Sequence, residues 1–170
     1  MLVSSYISNR EIKAMFRAIP KGWWTIKYEL LDHEGAVGLV EFSFASEGAK
    51  IHVRDETYTV RGEGWFSKEY FLESPGGGVI ASAGNPAFSG RFEIDFDNRS
   101  YSLEKEPGLL NPNYLLLDGA GVIGSIKPDG IFSRKTTVDI PDRFPLSIQA
   151  FMFFLVALLW KRATDSTATA

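Results

Sequence analysis

Between residues 23 and 140 apolar and polar side chains alternate with a period of two, the spacing of strands that turn one face to a core. In "WWTIKYELLD" the alternation places Trp24, Ile26, Tyr28 and Leu30 on one face. The runs "GLVEFSF", "AKIHVRD", "TYTVRG", "FSKEYFLES", "GVIASAG", "GRFEIDFD", "RSYSLEKE", "NYLLLD", "GVIGSIKP" and "FSRKTTVDI" follow. Turn-forming stretches separate them: "DHEG", "RDET", "SPGGG", "GNPAFSG", "FDNRS", "EPGLLNPN", "DGAG" and "KPDG". About eleven short strands with such short links predict an up-and-down meander that closes into a barrel or sandwich.

The two ends depart from this period. "SNREIKAMFRAIPKG" opens with a capping box, Ser8 to Glu11, and carries Ile12, Met15, Phe16 and Ile19 at helical spacing before Pro20 and Gly22. This pattern predicts a short amphipathic helix within residues 1–22. Arg10, Lys13 and Arg17 fall opposite its apolar stripe. Such a basic face either lies on an anionic membrane surface or remains solvated outside the domain. With Glu11 the lone acid among the first 28 residues, a transit peptide is the further reading.

At the other end stands "IPDRFPLSIQAFMFFLVALLWKRATDSTATA". Pro145 suits the first turn of a helix, predicted over about 144–162, with Lys161 and Arg162 complementing its C-terminal dipole. Residues 163–170 are expected to be a disordered polar tail. The unbroken apolar run from Ala150 to Trp160 makes roughly 16 Å of helix, against a hydrocarbon layer of about 30 Å. Apolar on every side, this helix must be surrounded on every side, and a ring of about eleven strands is too wide for its own side chains to fill. The expectation is therefore a buried core helix. The alternative is a β domain anchored in a membrane by residues 144–160.

The element order resembles the tubby C-terminal-like fold, shared by tubby proteins, phospholipid scramblases and the LURP-one-related proteins. It is carried by the many short strands, by "GSIKPDGIFSRKTTVDI" and by the helix "PLSIQAFMFFLVALLWKR", over roughly residues 23–162. The resemblance implies a mainly β chain: a closed antiparallel barrel of about 11–12 strands around a C-terminal hydrophobic helix. It further implies binding of membrane phospholipid through lysine and arginine on the barrel wall. No individual site residue follows from it.

Composition narrows the chemistry. The 170 residues suffice for one domain with a real core, and 14% aromatic content favours pleated, half-buried surfaces. A net charge of −3 argues against nucleic-acid binding. Without cysteine there is no disulfide, thiolate metal site or cysteine nucleophile; together with the lack of a basic leader and apolar h-region this suits a cytoplasmic protein, peripheral at a membrane if the basic helix binds there.

Three motifs invite a catalytic reading. "GAGVIG", Gly119 to Gly124, spells the dinucleotide fingerprint and Asp139 follows it, but the fingerprint needs a helix next, and Pro128-Asp129-Gly130 closes a strand instead. A tight hairpin over Asp118–Gly121 explains the glycines, with Gly121 the expected positive-φ position. "RFEIDFD" sets Glu93, Asp95 and Asp97 on one face, a carboxylate row for a hard cation or for acid–base work, or simply the solvated side of a barrel strand. His33 and His52 have no partner at metal-ligand spacing. The best anion-site candidates are Lys127, Arg134 and Lys135, which flank "KPDG". Adjacent strand residues point oppositely, so Lys127 can share a face with only one of the other two. The expectation is thus a non-enzymatic tubby-like barrel without cofactor or metal that binds a phospholipid headgroup or a protein, the alternatives being the membrane-anchored β domain and an enzyme with an unrecognised site.

Overall fold

The structure is a computed structural model that describes residues 15–22, 26–43, 45–64, 68–86, 89–108, 110–130 and 133–168. Twelve strands run in chain order: β1 Met15–Pro20, β2 Lys27–Leu31, β3 Ala36–Ser43, β4 Gly48–Val53, β5 Glu56–Glu63, β6 Glu69–Glu73, β7 Val79–Gly84, β8 Arg91–Phe96, β9 Arg99–Lys105, β10 Tyr114–Asp118, β11 Gly121–Pro128 and β12 Thr136–Asp139. Helix α1, Leu146–Ala168, follows. Each strand pairs antiparallel with its chain neighbours, and β1 pairs with both β2 and β12 to close the ring. Of the barrel or sandwich that the alternation predicted, the barrel is the fold.

Eleven of the strands are the predicted ones, and β1 is the twelfth. Met15–Pro20 is extended, which corrects the helical reading of those residues: Phe16 and Ala18 are buried while Met15 and Arg17 face out. The capping box, Arg10, Lys13 and Trp24 lie outside the described residues. On the predicted inner face of "WWTIKYELLD", Leu30 is buried and Tyr28 half-buried, but Ile26 precedes β2 and is 42% exposed.

The ring encloses α1. Ten consecutive helical residues, Ser147 to Val156, are all buried, which requires neighbours on every side of the helix. They meet the inward rows of the strands, among them Phe42, Ile51, Tyr70, Leu72, Phe92, Ile94 and Leu103. By length and composition α1 could also cross a membrane; in this fold its apolar surface fills the barrel. The helix continues to Ala168, so residues 163–168 are helical where a disordered tail was expected. Lys161 and Arg162 consequently sit inside the helix and not at its C-terminal dipole.

The glycine fingerprint is a hairpin. Asp118 pairs with Gly121 across a two-residue turn, and the positive φ, 61°, belongs to Gly119 rather than Gly121. Gly124 matters for another reason: a Cβ there would lie 2.7 Å from the Asp139 carbonyl oxygen, whereas one at Gly121 meets nothing closer than 3.7 Å. Gly124→Ala is therefore expected to cost at least ~1 kcal/mol through backbone overlap, lowering the melting temperature by about 2–4 °C. Gly121→Ala should melt within about 1 °C of wild type. Paired thermal melts check this, and equal effects would refute the assignment of the two glycines.

Candidate functional site: the open end of the barrel

The inward rows do not end in the core. Beyond the buried pair Tyr101 and Leu103 on β9, the next inward position is Lys105. Before the buried Thr136 and Val138 on β12, it is Arg134. Tyr28 on β2, Phe42 on β3 and Tyr114 on β10 occupy corresponding inward positions. These side chains meet the C-terminal half of α1, which contributes Ala157, Trp160, Lys161, Ala163 and Thr164, around a cavity of about 570 Å³.

The floor of this cavity is aromatic. Tyr28 and Phe42 pack edge to face at 5.5 Å, and Tyr114 and Trp160 at 6.3 Å. Trp160 is held from behind, its indole Nε1 donating to the Pro112 carbonyl at 2.8 Å. The rim is cationic: Lys105, Arg134 and Lys161 line it, and no described lining residue is acidic. In a chain with more acids than bases, that concentration of one sign is a local property of this end.

Local structure fixes the rim. The Asp129 amide donates to the Lys135 carbonyl at 2.8 Å and the Lys135 amide to Ser133 Oγ at 3.1 Å, closing the loop that presents Arg134. The Arg134 guanidinium lies 5.8 Å from the Tyr28 ring centre, a cation–π distance. Across the mouth, the loop between β9 and β10 folds around Glu106. Its carboxylate accepts from both Asn111 and Asn113 at 2.7 Å, bonds that hold its pKa below the ordinary carboxylate value. Lys161 pairs with Asp165 one turn further along α1.

A second cluster anchors the helix beside this cavity. Arg162 donates to Tyr70 Oη at 2.6 Å and to Glu47 Oε2 at 3.2 Å, Tyr70 Oη donates to the same carboxylate oxygen at 3.1 Å, and Lys68 completes the group. Burial raises the Tyr70 phenol pKa well above its ordinary value, so the phenol stays protonated as a donor. For Glu47 burial also pushes upward, but Lys68, Arg162 and Tyr70 outweigh it and its pKa is lowered.

The sequence candidates separate. Arg134 lines the cavity. Lys127 and Lys135 share the opposite, outward face, so of the adjacent pair it is Lys135 that faces with Lys127. Lys127 acts electrostatically on Glu106, and Lys135 on Asp129. Arg17 is also on this wall, in register with Thr137 and thus in one row with Lys127. Its guanidinium pairs with Asp129, whose Oδ1 accepts from Thr137 at 2.7 Å. Glu93 and Asp95 point outward as expected, beside Arg91 and Ser100 respectively, and Asp97 forms the β8–β9 turn at φ 51°. His52 contacts Thr57 at 3.0 Å and Glu41 at 3.4 Å, and His33 is exposed beside Glu34.

Sequence reasoning missed Lys105 and Lys161. Lys105 was detectable, being in phase with Tyr101 and Leu103; Lys161 was not, because its exposure depends on where α1 leaves the ring. At the other end of α1 a cavity of about 410 Å³ is lined by Phe16, Val37 and Phe144 together with Asp32, Arg54 and Asp142, so both charge signs meet there. No protein-family profile, curated protein or solved structure matches this chain.

Proposed function

We propose that this protein is a non-enzymatic binding domain of the tubby-like kind that holds an anionic phospholipid headgroup at the open end of its barrel. One observation carries the reading: Lys105, Arg134 and Lys161 surround an aromatic cavity whose described lining includes no carboxylate. Cationic donors form strong charge-assisted bonds to phosphate, and tyrosine and tryptophan favour the boundary between apolar and wet surroundings. The twelve-stranded ring around one apolar helix is the architecture the tubby resemblance implies, which supports the reading without supplying a site. This reading puts the anion at the mouth rather than on the Lys127–Lys135 wall, because at the mouth three cations and an aromatic floor line one cavity.

Flotation with vesicles of equal parts phosphatidylserine and phosphatidylcholine tests this. Wild type should float with anionic vesicles at low salt, remain behind with pure phosphatidylcholine, and lose binding as salt screens the interaction. Lys105→Ala/Arg134→Ala should weaken binding by about tenfold or more, since each charge-assisted bond is worth ~1.5 kcal/mol or above. Lys127→Ala/Lys135→Ala should bind as wild type. The reverse pattern would place the headgroup on the wall, and salt-insensitive binding released by detergent alone would favour the anchor reading of residues 144–160. A chain that ignores anionic vesicles would leave a protein-binding role.

A further inference from the structure

We infer that the mouth cavity takes a single-chain anionic amphiphile whole, alkyl tail included, rather than gripping only the headgroup of a lipid that stays in a bilayer. The inference rests on the reading above and specifies the ligand of the same cavity.

Three observations carry it. The cavity joins the exposed cations Arg134 and Lys105 to the half-buried Tyr28 and the buried Phe42 and Tyr114, the last directly opposite Lys105 in the β9–β10 register, so its lining is amphipathic. A headgroup site alone needs no such floor. Next, α1 turns small side chains toward the space: Ala157, Ala163 and Thr164 line it beside Trp160, whereas deeper in the barrel Phe151, Phe153 and Phe154 fill the corresponding room. The helix therefore leaves a slot between itself and the strands at this end and closes it further in.

The third observation is size. The cavity measures about 570 Å³, within the range of drug-sized ligand sites, roughly 300–1,000 Å³. An alkyl tail reaching halfway through a bilayer is ~15 Å long. Carbon contact distances give it a tube roughly 4.5 Å wide, or about 240 Å³. One tail leaves space for a carboxylate or phosphate at the rim. Two would take about 480 Å³ and leave ~90 Å³, too little for a glycerol with its two esters and a phosphate, so a two-tailed phospholipid does not fit whole. The common chemistry is one alkyl chain ending in an anion, which a fatty acid or a lysophospholipid supplies equally.

Isothermal titration of the full chain with dodecyl phosphate and with dodecanoate, both below micelle formation, tests the inference. Inorganic phosphate and dodecanol are the half-ligand controls. Saturable binding is expected for at least one of the anionic amphiphiles, about tenfold or more tighter than for either control. The stronger of the two identifies the headgroup chemistry. Ala157→Leu should abolish amphiphile binding by filling the slot with the rim charges intact, and Lys105→Ala/Arg134→Ala should weaken it by about tenfold or more; thermal melts show that each variant is folded. If inorganic phosphate binds as tightly as dodecyl phosphate, or if Ala157→Leu retains full binding, the tail is not inside and the inference falls. If wild type binds anionic vesicles at the mouth but neither soluble amphiphile, the inference falls and the headgroup reading stands. If it binds neither, both fall.

Discussion

Phe154→Asp is expected to abolish cooperative folding. Phe154 is 1% exposed, and its ring lies 5.4 Å from that of Phe42 on β3 and 5.9 Å from that of Tyr70 on β6. Truncating a phenylalanine so enclosed costs about 3–5 kcal/mol. A carboxylate in its place adds an unpaired charge or the cost of neutralising it, several kcal/mol more. Together these match the whole stability of an ordinary domain, about 5–15 kcal/mol. The variant should therefore be insoluble or show no thermal transition by circular dichroism. Thr167→Asp, on the exposed last turn of the same helix, should melt within about 0.5 kcal/mol of wild type, separating burial from any general intolerance of charge in α1. Deleting residues 144–170 should be as damaging as Phe154→Asp. A soluble, cooperatively melting chain without those residues would show that the ring stands without its filling and would overturn the core role of α1.

The reason this helix was legible in the sequence is also the reason the experiment is decisive. A helix apolar on all faces must be enclosed, and the strand count supplied an enclosure wide enough. Strands β2 to β12 were legible for a comparable reason: most alternate within themselves, as "RFEIDFD" does, and turn signals bound the others, such as "NYLLLD", so the pattern survives without knowledge of its partners. β1 was not. Ile12, Met15, Phe16 and Ile19 satisfy a helical period, and only Phe16 and Ala18 carry the strand alternation. The conformation of this segment is decided by Leu30 and Leu31 on one side and Thr136 to Asp139 on the other, partners distant in sequence that override local propensity.

The site was half legible on the same terms. Arg134 was singled out for its charge, and two-residue parity alone required it to face opposite Lys135. What parity could not give was depth. An inward position at mid-strand is core, and at the strand end it is rim. That distinction needs the closed ring and the point where α1 leaves it. The Glu47–Arg162 contact, 115 residues apart, was beyond any local pattern, although it holds the helix that forms one side of the cavity.

That contact gives the second large effect, and its sign follows from the titration of Glu47. The Glu47 pKa is lowered below its ordinary 4.5 in the folded state. Its ionised form therefore contributes stability that is fully present above about pH 4.5 and is lost as pH falls through the lower, folded-state value. Arg162→Met removes one of its donors and leaves Tyr70 Oη, on a fully buried ring, without the guanidinium. Breaking a fully buried pair costs about 3–5 kcal/mol; with the two side chains 34% and 24% exposed, screening reduces this to about 2 kcal/mol, or about 4–8 °C in melting temperature at pH 7. Glu47→Gln should also lose stability at pH 7. As pH falls below 4.5 toward the lower folded-state value, its deficit relative to wild type should shrink. Melting curves of wild type and both variants between pH 7 and pH 3 check this. An undiminished Glu47→Gln deficit at pH 3 would mean that the carboxylate is not what locks α1 to β6. In Arg162→Met, amide exchange should accelerate between residues 157 and 168, the stretch that walls the cavity, while residues 147–156 stay protected inside the ring.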